Sequence, residues 1–143
     1  MHAVYECCSS VPLAADLARG RPYSDHESLL RQADALLFGL GDESIDGLLQ
    51  AYPLIYPCDG HGAHNGPSEG LLDAAVAGYR DRFGFSFVMC TTDCDAATVL
   101  AAIADRMHND EQTERKVVCN ELARINRIRL ERMLGPEGGY NNW

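Results

Sequence analysis

Phe83-Gly84-Phe85-Ser86-Phe87-Val88 follows an apolar, helix-forming stretch at residues 74–82, and about forty residues later a second helical stretch reads Ile125-Asn126-Arg127-Ile128-Arg129-Leu130. Three Phe at alternate positions right after a helix predict a buried turn, because each ring gains most by leaving water. In the second stretch, stepping at 100° per residue puts Val118, Leu122 and Ile125 on one face, with Arg129 in the middle of it. An unpaired guanidinium cannot be buried cheaply, so Arg129 needs a carboxylate partner or an anionic ligand. Glu121 and Glu69 are candidate ion-pair partners, snorkelling to the helix end is a third solution, and a ligand carboxylate fits the planar fork equally well.

Periodicity outward from these segments is helical throughout. Val11–Arg19 reads as a short helix ended by Gly20 and Pro22. Ser24 with Glu27 predicts a capping box for a helix over 24–38, with Leu29, Leu30, Ala33, Leu36 and Leu37 as its apolar stripe. Further helices are expected over 43–51 (Leu48 and Leu49 inward), 69–83, 96–107 (Ala97, Leu100, Ile103 and Met107 inward) and 110–134, the last opened by Asn109 and Gln112. Between Pro53 and Ser68 lies the longest non-periodic stretch. No composition shift or repeat divides the chain, so the expectation is an all-α, compact single-domain helical bundle over residues 1–143.

The bulk numbers exclude several function classes. With 46% hydrophobic and 23% charged residues, the chain has the balance of a globular protein rather than a disordered one. A net charge of −9 argues against nucleic acid as a partner but leaves room for a small anion held by local Arg. Neither a membrane span nor a signal peptide is expected, so the reading is cytoplasmic. On that reading all six Cys (Cys7, Cys8, Cys58, Cys90, Cys94, Cys119) are expected as thiols.

Residues 58–64, Cys58-Asp59-Gly60-His61-Gly62-Ala63-His64, space one Cys and two His as possible ligands for zinc or copper with an open position. The spacing matches no standard zinc signature, and Gly-rich loops also collect His without binding a metal. Alternatively, His61 or His64 serves as a proton donor beside the loop's other residues.

Cys7-Cys8-Ser9-Ser10, Leu17-Ala18, Arg21-Pro22-Tyr23, residues 83–88, Arg106-Met107 and residues 121–130, in this order, resemble the decarboxylases of 2-oxo-4-hydroxy-4-carboxy-5-ureidoimidazoline (OHCU), small helical enzymes of urate breakdown. The resemblance spans most of the chain. It implies a His-Pro pair acting in proton transfer, a Glu in a Ser-x-x-Glu-Gln segment assisting it, and an Arg holding the substrate carboxylate. Residue by residue, the pair falls on Tyr52-Pro53, the Glu segment contracts to Ser68-Glu69-Gly70, and the Arg falls on Arg129, with Phe87 and Val88 as a binding wall. The substrate-binding set it implies is thus Arg129, Pro53, Ser68, Phe87 and Val88.

Tyr52 in place of His moves the chemistry. An imidazole shuttles protons near neutrality, whereas a phenol near pKa 10 is a poor base that can still donate a proton to a carbanion. The resemblance then implies a diverged decarboxylase-like lyase with no organic cofactor, acting on a small anionic carboxylated ring in specialised metabolism, with Tyr52, Glu69, His61 and His64 as candidate catalytic groups. A non-catalytic ligand-binding protein and a metal-dependent enzyme built on Cys58, His61 and His64 are the alternatives. Family habit adds a possible homodimer.

Overall fold

A computed structural model describes residues 10–51, 55–57, 69–91 and 96–135. Six helices and one pair of three-residue strands occupy them: α1 (Val11–Arg19), α2 (His26–Phe38), α3 (Asp42–Ala51), β1 (Ile55–Pro57), α4 (Glu69–Phe83), β2 (Met89–Thr91), α5 (Ala96–Arg106) and α6 (Glu111–Leu134). The architecture is all-α. Among the described residues one strand pairing occurs; it is parallel, with Ile55 opposite Met89, Tyr56 opposite Cys90 and Pro57 opposite Thr91. No described helix is long and apolar enough to cross a membrane.

Local chemistry sets the helix ends. Ser10 caps α1 by accepting the Leu13 amide at 3.4 Å, and a Pro in the first turn gives up an N–H the helix would not have used. The cap of α2 is Asp25, not the expected Ser24: its carboxylate takes the Ser28 amide at 2.7 Å. Ser24 bonds the Ser28 hydroxyl at 2.9 Å instead, and Glu27 is drawn to Arg127. A carboxylate at the positive end of a helix outcompetes a hydroxyl one residue earlier. The same correction applies to α6, where Asp110 takes the Thr113 amide at 2.8 Å and Asn109 turns to Glu114. Gly84 (φ 78°) and Gly135 (φ 70°) end α4 and α6 in left-handed backbone that a side chain would strain.

The chain divides into two compact units. The first takes residues 10–51 and, after a long excursion, 123–135. In its core Leu13, Ala14 and Leu17 of α1 meet Leu29, Leu30 and Ala33 of α2 and Leu130 and Leu134 of α6, with Tyr23, Leu36 and Met133 packed against them. The Tyr23 hydroxyl, satisfied by the Leu17 carbonyl at 2.8 Å, lets that ring approach an apolar cluster. At the margin, Arg127 of α6 reaches Glu27 at 3.2 Å and Asp34 at 3.4 Å, both on α2.

The second unit runs to Leu122 and holds β1, α4, β2, α5 and the first half of α6. Phe83, Phe85 and Phe87 are buried, as the spacing of the Phe-rich turn predicts. The inward face of α5 differs from the expected one: Val99 and Ile103 are buried, Leu100 and Met107 are half-buried and Ala97 is exposed. Arg106 continues the Val99–Ile103 face one turn on, so a charged residue sits where an apolar stripe would be sought.

Candidate functional site

Glu114, in the first turn of α6, is wholly buried. Its carboxylate accepts from the Tyr79 hydroxyl on α4, from Arg106 Nε on α5 at 2.6 Å and from Asn109 Nδ2 at 3.0 Å, and Arg106 NH2 also lies 2.6 Å from it. A buried carboxylate is tolerated only with this density of donors and a countercharge. The Arg106 guanidinium lies over the Phe87 ring, 4.4 Å from its centroid, and 5.6 Å from that of Tyr79. Its third nitrogen, NH1, donates to the Val88 carbonyl at 2.6 Å. Tyr79 meets Phe87 edge to face at 5.2 Å, and Phe83 and Phe85 complete the aromatic shell.

The Phe-rich turn is therefore built around a charge pair. Burial, and then the hydrogen bond to Glu114, push the Tyr79 hydroxyl well above its ordinary pKa of 10.0. The folded state thus keeps a proton that the unfolded chain releases, and stability tied to Tyr79 is full below pH 10 and lost as pH rises further. Denaturant melts between pH 9 and 12 should show this alkaline loss, and Tyr79→Phe should flatten it; an unchanged slope would assign the loss to other groups.

A second polar contact follows two residues on. Cys90, in β2, donates its backbone N–H to Glu121 Oε2 of α6 at 2.6 Å. Glu121, a candidate partner of Arg129 by sequence, thus spends an oxygen on the strand. Cys90 is disulfide-bonded, which corrects the expectation of six thiols; Cys119 is a free, half-buried thiol. The other four Cys lie outside the described residues.

The residues singled out in the sequence fall into three groups. Arg129 is on α6 in the first unit, half-buried, between fully buried Ile125 and Leu130. Phe87 and Val88, in the second unit, have no exposed surface. Glu69 opens α4, but its side chain lies outside the description, as do Tyr52, Pro53, Cys58, His61, His64 and Ser68. Among the described residues no cluster of three or more His, Cys, Asp or Glu could hold a metal ion.

Sequence reasoning passed over Glu114 and Tyr79, although a signal existed. Glu114, Val118, Leu122, Ile125 and Arg129 share one helical register, with an acid at its head as anomalous as the Arg at its tail.

Comparison with known proteins places this architecture. The family model described as OHCU decarboxylase matches residues 1–70 and 61–131. A 2-oxo-4-hydroxy-4-carboxy-5-ureidoimidazoline decarboxylase from Amia calva is 28% identical over 145 residues, covering 90% of this chain and 82% of that protein. Its counterpart from Mus musculus is 29% identical over 140 residues, covering 86% and 79%. Among solved structures, an OHCU decarboxylase crystallised in the presence of (S)-allantoin superposes with a TM-score of 0.76 at 18% identity, over 90% of this chain and 94% of that one, a likeness of fold. The chain belongs to the OHCU decarboxylase family, whose named members are decarboxylating lyases.

Proposed function

We propose that this chain is a decarboxylase acting on a small carboxylated ring related to OHCU, in a tailoring step rather than in urate breakdown. The observation that carries the finer reading is Tyr52-Pro53 at the position where the family resemblance expects His-Pro. In this reading Arg129 binds the carboxylate of the substrate through its planar fork. The C–C bond to that carboxylate breaks, CO2 leaves, and the electron pair stays on the ring carbon, delocalised into the ring. A proton from Tyr52, or from His61 or His64, then completes the product, with Glu69 orienting or accepting protons. Pro53, Ser68, Phe87 and Val88 complete the proposed substrate-binding set. No step requires an organic cofactor, nucleic acid or membrane. Family habit supports a cytoplasmic homodimer.

Two measurements test this. Freshly generated OHCU should decay in the presence of the protein at close to its spontaneous rate, and rapid stereoselective decay would return the chain to ordinary family activity. With imidazole-4-carboxylate as the probe, Arg129→Ala should weaken binding by about tenfold to a hundredfold, the worth of a charge-assisted hydrogen bond. Unchanged affinity would reduce Arg129 to a structural ion pair.

A further inference from the structure

Only one side of α4 is used by the packing of its unit. Tyr79 and Phe83 are buried and fix the inner side of the helix, with Leu72 and Val76 half-buried beside them. At 100° per residue the opposite side carries Gly70, Ala74, Ala77 and Asp81, all exposed. Asp73 and Arg80, both exposed, border it on one flank. Leu71, which is 68% exposed, and half-buried Gly78 border it on the other. A leucine so far in water gains nothing where it stands. Glycine inside a helix is unfavourable relative to alanine, yet among the described residues no atom lies within 4 Å of where a Cβ would stand at Gly70 or Gly78. Packing within the unit does not call for those glycines, whereas close approach by another helix would.

We propose that this face of α4 docks on the same face of a second copy of the chain, the two helices antiparallel about a two-fold axis. A two-fold contact must be self-complementary, and one register makes both flanks so. With Ala74 opposite the partner's Ala77, Asp73 stands about 3 Å along the axis from the level of the partner's Arg80. In the same register Leu71 is offset equally from the partner's Gly78, whose missing side chain leaves a notch for it. The partner's Asp81 comes opposite Gly70, in the first turn of α4, where the helix end is positive. Small side chains along the middle let the axes close to about 8 Å. A helix of 15 residues is about 22 Å long, so the contact buries on the order of a few hundred Å² per copy, below the roughly 800 Å² of a standard interface. The dimer is thus weak, with an expected Kd of about 1–100 µM. The proposal rests on the homodimer reading and is independent of the chemistry assigned to the site.

Sedimentation equilibrium of the full chain between about 1 and 500 µM should show monomer passing into dimer. Asp73→Arg and Arg80→Asp, each alone, set like charges against each other twice across the two-fold axis and should raise the Kd about tenfold or more. Mixed in equal amounts, the two variants again present opposite charges and should associate within about threefold of the wild-type Kd, as should the double variant. Gly78→Leu fills the notch for Leu71 and should also raise the Kd about tenfold. Its Tm should not fall, because leucine is the better helix former and has open space there. That combination separates lost docking from lost folding. A Kd unmoved by these substitutions would leave a dimer formed through another surface and overturn the α4 contact alone. Singles that weaken without recovery in the mixture would overturn the antiparallel register, and the proposal with it. A wild-type chain still monomeric at about 500 µM would overturn the contact and the homodimer reading together, leaving this face to a different protein.

Discussion

Glu114→Leu is expected to destabilise the fold by about 3–5 kcal/mol, the usual cost of stripping one partner from a buried ion pair. The carboxylate has no exposure to water, and the side chain of its partner Arg106 keeps only 11% of its own. Leucine fills a similar volume but leaves the guanidinium, the Tyr79 hydroxyl and the Asn109 amide without their common acceptor. At this chain length the loss should appear as a fall in Tm of roughly 10 °C or more. Removing both charges as Glu114→Leu with Arg106→Met should cost less than Glu114→Leu alone, because no isolated charge remains inside. The double variant still forfeits the bond to the Val88 carbonyl, so it should not match wild type. Urea melts of the three proteins decide it, and a single-variant loss below about 1 kcal/mol would show that the pair contributes little to this core.

Tyr52→His is expected to raise the rate of OHCU decay by about a hundredfold or more, the range spanned by a well-placed general acid or base. A phenol holds its proton near pH 7 and cannot take one up, whereas an imidazole does both near its ordinary value of about 6.5. The variant should therefore also acquire a limb in its pH–rate profile near that value. A rate no better than wild type would mean that position 52 is not where the reaction receives its proton.

Helix positions were legible in the sequence because burial on one face repeats at the helical period, and α1 and α4 occur where the pattern put them. Caps were less legible. Ser24 and Asp25 are both good cap residues, and which one serves depends on where Glu27 finds its partner, a residue 100 positions away. The candidate site divides along similar lines. Arg129 stood out because a charge near the end of a long apolar stripe has no local excuse. Glu114 did not, because acids in a first turn are expected on dipole grounds whether buried or not. Arg106 marked a family position, but its hold on the Val88 carbonyl joins residues 18 apart, and no local pattern announces such a bond. The Cys90 disulfide was invisible for a related reason: spacing does not say which sulfurs meet, and the expected compartment argued for none.

The division of α6 between the two units sets an order of events during synthesis. Residues up to Leu122 of the second unit form one unbroken stretch and can begin to pack as soon as that stretch leaves the ribosome. The first unit has no such freedom: α1 and α2 can pack on one another, but the cluster of Leu13, Leu17, Leu29 and Leu30 is closed only when Leu130 and Leu134 arrive. The leucine face of α1 and α2 is thus completed only once the end of α6 has been made.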